Sequence, residues 1–471
     1  MKNARRKGLG LGIRAVRWFS RACALLLVGG GAFSAFDACA QSIAQSLVSA
    51  YQSNPTLRAQ RARLRATDEA LPQAQAGWRP TITANAEIGR SRVEGNLFAQ
   101  SSGTQIRSPS SVSILLSQPI FRGGRTFYET RQAEYRVQAE RARLRLVEAE
   151  VLLDAAAAFM DVVRDQAVVE LNVHNEQVLR RQREAAGDRF EIGEITRTDV
   201  AQAEARLAGA RADRIQAEGN LAASRATFKR VTGMAPERLV TPASLGNLPQ
   251  SEAETLRIAA MSFPAIIAAK FDEKSAAEAV NIVEGELLPT VSLNAEVSKA
   301  QEQFSTVDDT KRGTISARVS MPLYQAGAVH SRLREARQVA GQRRVEVEES
   351  RRSAVEQATR AWSDMITAQA GIVSLKSQAE AATIALDGVE QEALVGSRTV
   401  LDVLDAEQEL LDAKVALVRA ERDEFVASFR LKSAIGALTA EALALPVAFY
   451  DMNKNYDDVR GRWIGFGSDS E

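Results

Sequence analysis

Cysteine and histidine are almost absent from this chain of 471 residues, and their scarcity excludes several classes of site. The two cysteines, Cys23 and Cys39, both lie in the first 40 residues, so a chain processed after residue 40 has neither disulfides nor thiolate metal ligands. The two histidines, His174 and His330, lie in long helical patterns, where surface or seam positions are expected rather than metal ligands. No glycine-rich phosphate loop follows a strand, and no nucleophile elbow or Cys/His cluster occurs. The sequence therefore predicts a protein that is not an enzyme and that uses neither cofactor nor metal.

Aromatic residues make up 6% of the chain and charged residues 25%, which suits long amphipathic helices better than a compact mixed core. The apolar segment from Ala22 to Phe36 is too short to span a membrane. Basic residues precede it and the small-x-small sequence Ala38-Cys39-Ala40 follows it, a layout typical of secretory leaders. We therefore assign residues 1–40 to a signal peptide. Lipidation at Cys39 is the alternative, against which the acidic Asp37 argues.

The charge of the chain is nearly balanced, with 60 basic and 59 acidic side chains. Removal of residues 1–40 takes away seven basic residues and one acid, so 60 − 7 = 53 basic and 59 − 1 = 58 acidic residues remain. The resulting net charge of 53 − 58 = −5 leaves no polybasic surface. Nucleic acid is therefore not expected as a partner.

The sequence contains a long internal repeat. Two proline pairs, Pro55/Pro264 and Pro80/Pro289, lie 209 positions apart, so the copies differ by six residues in the length between their strands. Six further pairs of identical residues lie 203 positions apart: Gly193/Gly396, Asp199/Asp402, Glu204/Glu407, Leu207/Leu410, Pro119/Pro322 and Gly233/Gly436. So many pairs at one spacing indicate a duplicated architecture.

Each copy contains two segments in which apolar and polar residues alternate. They are 81–88 and 111–117 in the first copy and 290–297 and 314–320 in the second, and we expect the polar stretch at 91–108 to be a loop. The alternation predicts strands with one apolar and one polar face. Four such strands cannot close a membrane barrel, which needs at least about eight, whereas three chains would supply about twelve. A small periplasmic sandwich with one buried face is the alternative.

Two proline-free segments, from about Gly124 to Phe190 and from about Ala328 to Leu394, predict helices of about 65 residues, or roughly 100 Å. The helix after Gly396 carries two apolar heptad seams roughly 150° apart, as a helix in the wall of a tube requires. The seams are Leu401, Leu404, Gln408, Leu411, Val415 and Val418, and Val403, Ala406, Leu410, Ala413, Leu417 and Ala420. An acidic row between them faces either solvent or the lumen of the tube: Asp402, Asp405, Glu409 and Asp412.

Three segments of the chain resemble the TolC family of outer-membrane channel-tunnels. Val395-Gly-Ser-Arg-Thr-Val-Leu-Asp-Val-Leu-Asp-Ala406 resembles the most characteristic stretch of that family. Gln118-Pro-Ile-Phe-Arg-Gly-Gly124 and Met321-Pro-Leu-Tyr-Gln-Ala-Gly327 resemble its strand-to-helix junction. The resemblance covers residues 42–440, and it is greatest to the type I secretion branch, which includes the channel of the adenylate-cyclase-toxin exporter.

The resemblance implies a mixed, mainly α fold. Three chains would form a transmembrane β-barrel in the outer membrane, with four strands from each chain, that continues into a long periplasmic α-helical barrel. The chain would divide into a first repeat at 41–240, an equatorial linker at 241–252, a second repeat at 253–440 and an equatorial tail at 441–471. Each repeat would hold a helix, two barrel strands (about 80–118 and about 289–321) and a long helical hairpin (about 122–233 and about 325–438).

The resemblance also carries over site residues by position. Asp402 and Asp405 match the acidic pair that lines the periplasmic constriction and binds cations. Arg398 matches an arginine that locks the closed tunnel, and Thr198 and Asp199 match its partners.

The hairpin tips at Gly193 and Gly396 match the surface on which a periplasmic adaptor docks. The implied function is a passive duct for type I protein secretion, which contacts outer-membrane lipid and works with the adaptor and an inner-membrane ABC or other transporter. Ala393 departs from the family, because a tyrosine there supplies one hydrogen bond of the lock. Multidrug efflux and an elongated periplasmic coiled-coil scaffold are the alternative functions.

Overall fold

The computed structural model describes residues 41–94, 104–237, 239–242, 245–304 and 307–466, so the predicted signal peptide lies outside the described residues. The helices are α1 (Ile43–Ser53), α2 (Pro55–Asp68), α3 (Ala70–Gln75), α4 (Arg125–Glu191), α5 (Arg197–Thr232), α6 (Glu252–Ser262), α7 (Pro264–Glu284), α8 (Ala328–Leu394), α9 (Val400–Ala434) and α10 (Lys454–Val459). The strands are β1 (Thr81–Ile88), β2 (Ser91–Glu94), β3 (Thr104–Arg107), β4 (Ser110–Arg122), β5 (Thr290–Gln301) and β6 (Asp309–Ser320).

Four strands form one antiparallel sheet in the order β1, β4, β5, β6, at the positions that the alternation predicts. The first copy of the repeat contributes β1 and β4, and the second contributes β5 and β6. Among the described residues, β1 and β6 each have a neighbouring strand on one side only. The sheet therefore has two open edges.

The predicted loop at 91–108 is wrong in part. β2 and β3 pair as an antiparallel ribbon, from Ser91 opposite Arg107 to Glu94 opposite Thr104. Each of these strands has only four residues, which is too short for alternation to reveal it in the sequence.

The apolar face of the four-stranded sheet is exposed. Ile82 and Val112 expose 69% and 57% of their surface, and every residue of β1 and β6 is exposed. The described chain therefore places no second layer on this face, and the alternative of a sandwich with one buried face is wrong.

The two longest helices, α4 and α8, each span 67 residues, which corresponds to roughly 100 Å. Each begins directly after a glycine, Gly124 or Gly327, whose φ of 75° or 78° lies in the left-handed region that favours glycine. This turn directs the chain from the sheet into the helical hairpin. Among the described residues, we find no helix that combines the length and apolar character needed to cross a membrane.

Helix α9 packs against neighbours on two sides, as its two seams predict. Leu404 of the first seam is buried in a cluster with Leu179 of α4 and Leu207 of α5. Leu410 of the second seam is buried against Ala379 of α8. The second hairpin (α8 and α9) therefore packs on the first (α4 and α5) close to their tips.

The C-terminal tail is anchored by contacts between arginines and aromatic rings. Arg61 of α2 lies between the rings of Tyr51 and Tyr450, 4.5 Å and 5.1 Å from their centroids. Arg141 of α4 lies 5.1 Å from the centroid of the Tyr456 ring. Isolated contacts of this kind have no sequence period, so no periodic pattern marks the tail.

Candidate functional site at the hairpin tips

The tips of the two helical hairpins are turns of the same geometry. Gly193 joins α4 to α5, Gly396 joins α8 to α9, and both have a φ of 78°. In each turn the glycine N–H donates to the carbonyl three residues earlier, at 3.0 Å and 3.1 Å, and the next N–H donates to the carbonyl five residues before it, at 2.9 Å and 3.0 Å. A Cβ at either glycine would meet no atom within 4 Å. The backbone conformation, rather than lack of space, therefore favours glycine at both tips.

Both helices that leave the tips begin with a capping box. Asp199 accepts hydrogen bonds from the N–H and the hydroxyl of Thr196, each at 2.8 Å. Asp402 accepts the same two bonds from Thr399, also at 2.8 Å. These bonds hold the pKa of both carboxyls below the ordinary value. The bond from the Thr196 hydroxyl has the largest effect on Asp199, and the bond from the Thr399 N–H has the largest effect on Asp402. This structural role was not among the predictions from sequence, although the Thr-x-x-Asp spacing signals it.

Within the described chain, two of the three residues matched to the closure lock are bonded to other groups. Arg398 donates from Nε to Oε2 of Glu392 at 2.8 Å. Asp199 is held in its capping box, and Thr198 is exposed in the first turn of α5. Arg398 and Asp199 nevertheless both line a cleft between the two hairpin tips. A lock between them, linking neighbouring coils, stays a prediction.

Asp405 forms an ion pair that the sequence did not indicate. Its Oδ1 accepts a hydrogen bond from Nη2 of Arg206 at 2.6 Å, and about half of each side chain is exposed. The pair joins α9 to α5 beside the buried Leu404. In the described part of the chain, one further ion pair joins the two hairpins, from Nε of Arg422 to Oδ1 of Asp161 at 2.9 Å. Arg206 therefore places a positive charge directly beside Asp405.

A cleft of about 620 Å³ lies between the two tips. Charged residues of both signs line it, among them Arg189, Glu194, Glu390 and Arg398. Charges of both signs in such a cleft suit the electrostatic recognition of another protein surface.

The described residues show no arrangement of three or more His, Cys, Asp or Glu side chains that could hold a metal ion. His174 and His330 are exposed on α4 and α8. Asp402 and Asp405 lie almost one turn apart on α9, where each is bonded to a different protein group.

The chain is similar to several other proteins over most of its length. The family described as outer membrane efflux protein matches residues 47–234 and 256–437. Outer membrane efflux protein BepC of Brucella suis is 34% identical over 443 residues, which cover 94% of this chain and 95% of that protein. Outer membrane protein TolC of Escherichia coli is 25% identical over 434 residues, which cover 88% of this chain and 86% of that protein.

One protein named for secretion and one further relative are also similar, at lower identity. Alkaline protease secretion protein AprF of Pseudomonas aeruginosa is 24% identical over 349 residues, which cover 72% of each chain. Protein CyaE of Bordetella pertussis is 23% identical over 324 residues, which cover 67% of each chain. The solved structure of the Campylobacter jejuni CmeC outer membrane channel matches with a TM-score of 0.78 and 14% identity over 89% of both chains, and this likeness concerns the fold.

Proposed function

Because this chain belongs to the outer membrane efflux protein family, whose members are channels and not enzymes, we propose that three copies form the passive outer-membrane duct of a tripartite export system. The observation that carries the proposal is the sheet with two open edges and an exposed apolar face, joined directly to two long helical hairpins. Strands that face lipid must close into a barrel, because the hydrocarbon core offers no partner for bare edges. Three copies would supply about twelve strands, enough for a closed barrel, and their hairpins would form the periplasmic tunnel.

The periplasmic end of this tunnel is the proposed gate. Asp402 and Asp405 from three chains would place rings of carboxylates around a narrow mouth, which favours cations. Arg398 would bond Thr198 and Asp199 of a neighbouring coil. Loss of that bond would let the hairpins move outward in the manner of an iris.

The tips around Gly193 and Gly396 are the proposed docking surface for a periplasmic adaptor, which would connect the duct to an inner-membrane transporter. Charges of both signs in the cleft between the tips support this assignment. Ala393 lines the same cleft and cannot supply the hydrogen bond of a tyrosine. We therefore expect the resting closure to depend more strongly on ion pairs.

The proposed cargo is a protein exported by type I secretion, and the name of the alkaline protease secretion protein AprF supports this choice. Drug efflux is the second candidate, and the higher identity to efflux protein BepC favours it. Deletion of the gene separates the two. Loss of one large extracellular protein supports secretion, whereas increased sensitivity to small toxic compounds with an unchanged set of extracellular proteins supports efflux.

The duct itself is tested with the purified mature protein. We expect it to fractionate with outer membranes, to migrate as a heat-resistant trimer and to form pores in planar lipid bilayers. A soluble monomer without pore activity would refute the proposal.

A further inference from the structure

We propose that the subunits of this duct pair β6 of one copy with β1 of the next in a single register, in which Arg318 lies opposite Glu87 of the neighbouring copy. The inference rests on the proposed trimeric barrel and specifies the contact that would close it. Both side chains are exposed on the open edges of the sheet. Within the described chain, neither has an ion-pair partner.

The strand pairs inside the chain repeat with fixed offsets. Adding 209 to the number of a β1 residue and 203 to that of its β4 partner gives a pair in the β5–β6 ladder. Two examples are Thr81–Ser117 with Thr290–Ser320, and Glu87–Ser111 with Glu296–Thr314. The two copies therefore use one register.

The junction between the two copies is the β4–β5 ladder, in which Leu115 lies opposite Glu296. In a closed ring, β6 and β1 of successive chains would form the equivalent junction. The same offsets then give 115 + 203 = 318 and 296 − 209 = 87. This register places Arg318 of one chain opposite Glu87 of the next.

The side chains favour this register over its neighbours. Arg318 and Glu87 both lie on the polar faces of their strands, and opposite charges directly across a ladder stabilise it. A shift by one residue would set Arg318 opposite the apolar Ala86 or Ile88 and mix polar with apolar faces. A shift by two residues would keep the faces but separate the arginine from the carboxylate.

Disulfide formation between chains tests the register, because both natural cysteines lie within residues 1–40. Opposed residues of antiparallel strands have Cα atoms about 4.5–5.5 Å apart, within the range of a disulfide. Within one chain, β1 and β6 are three strand spacings apart, about 14 Å, so they cannot be bridged. In the full mature protein with Glu87→Cys and Arg318→Cys, we expect oxidation to convert most chains into covalent oligomers that end at a closed trimer.

Two matched pairs serve as controls. Leu115→Cys with Glu296→Cys bridges the equivalent positions inside one chain and should leave a monomer on a denaturing gel. Asn85→Cys with Arg318→Cys represents a register shifted by two residues and should cross-link poorly. If the shifted pair cross-links better than the predicted pair, or if the predicted pair stays monomeric while the unsubstituted protein forms trimers and pores, the register is wrong. If the unsubstituted protein forms neither trimers nor pores, the proposed function fails together with the register.

Charge reversal provides a second measurement that needs no cysteine. Arg318→Glu would place two carboxylates across the junction and lower the temperature at which the trimer dissociates. Adding Glu87→Arg to the same chain should restore most of that temperature, because the pair is then present in reversed order. Failure of the double variant to exceed the single variant would overturn the inference.

Discussion

Asp402 has two separable properties, because its carboxylate both caps α9 through Thr399 and carries charge at the proposed mouth. Asp199 caps α5 in the same way at the first tip. Replacement of Asp402 by alanine would remove the cap and the charge together. Asparagine removes the charge but keeps a side-chain oxygen that accepts a hydrogen bond, so it is the more informative substitution.

We expect Asp402→Asn and Asp405→Asn to weaken block of the pore by multivalent cations. Two unit charges about 4 Å apart in water attract each other by about 1 kcal/mol, and an ion of higher charge is attracted more strongly. Loss of each carboxylate that contacts the ion should therefore raise the half-blocking concentration by at least about fivefold. Single-channel recording with a trivalent cation measures this change. Asp213→Asn, an exposed acid further along α5, is the control. Unchanged block in both variants would remove these aspartates from the mouth.

Glu148 of α4 makes the stability of the folded state depend on pH. It is buried, and it accepts a hydrogen bond from the N–H of Ala440 at 2.7 Å. Burial raises the pKa of Glu148 above its ordinary value of 4.5, against the opposing effects of the Ala440 bond and of Arg61 and Arg145. The folded state then binds the proton more tightly than the unfolded state. Stability is therefore lost as pH rises from about 4.5 through the folded-state pKa.

Glu148→Gln keeps an acceptor for Ala440 but carries no charge at any pH. We expect it to raise stability at neutral pH and to flatten the pH dependence of the guanidinium midpoint above about pH 4.5. Each tenfold difference in proton affinity between the folded and unfolded states corresponds to about 1.4 kcal/mol. Glu150→Gln, which is exposed on the same helix, is the matched control. Equal pH profiles for the two variants would show that burial of Glu148 has no such cost.

At the scale of elements, periodicity predicted which face of each helix or strand is apolar, but not which partner covers that face. The two seams of α9 anticipated its two neighbours, and the long helices α4 and α8 lie within one residue of their predicted bounds. The ribbon of β2 and β3 was missed because its strands are too short for a period. The bond from Arg206 to Asp405 was missed because it joins residues 199 positions apart, and no local pattern specifies such a pairing.

We expect Arg206→Gln to strengthen block by multivalent cations, in the opposite direction to Asp405→Asn, because it leaves the charge of Asp405 uncompensated. It should also raise the resting conductance modestly, since an exposed ion pair contributes about 0.2–1 kcal/mol to holding the hairpins together. Arg183→Gln is a matched control, because Arg183 bonds Glu204 at 2.8 Å with similar exposure but lies within the first hairpin. If multivalent cations block the Arg206→Gln and Arg183→Gln variants equally, the bond between Arg206 and Asp405 does not affect the charge of the mouth.

On the scale of the whole molecule, the most informative feature is apolar surface that one chain leaves uncovered. Ile114 lies in the middle of β4 and exposes 52% of its surface. It is exposed although β4 is an inner strand of the sheet, between β1 and β5. The adjacent Ser113 points to the opposite, polar face. In the proposed barrel the first side chain meets lipid and the second faces the lumen, because side chains of a strand alternate between faces.

This pair of neighbours allows a test of membrane assembly in which the strand, the introduced side chain and the depth stay nearly constant. Ile114→Arg should impair insertion, because an arginine on the lipid face of a barrel costs about 2–4 kcal/mol near the bilayer midplane. Ser113→Arg should be tolerated, because a lumen-facing arginine remains hydrated. The measurement is the fraction of each variant recovered from outer membranes as heat-resistant trimer. Equal recovery would mean that the apolar face does not contact lipid, whereas selective loss of the Ile114 variant requires that the sheet closes with its apolar side outward.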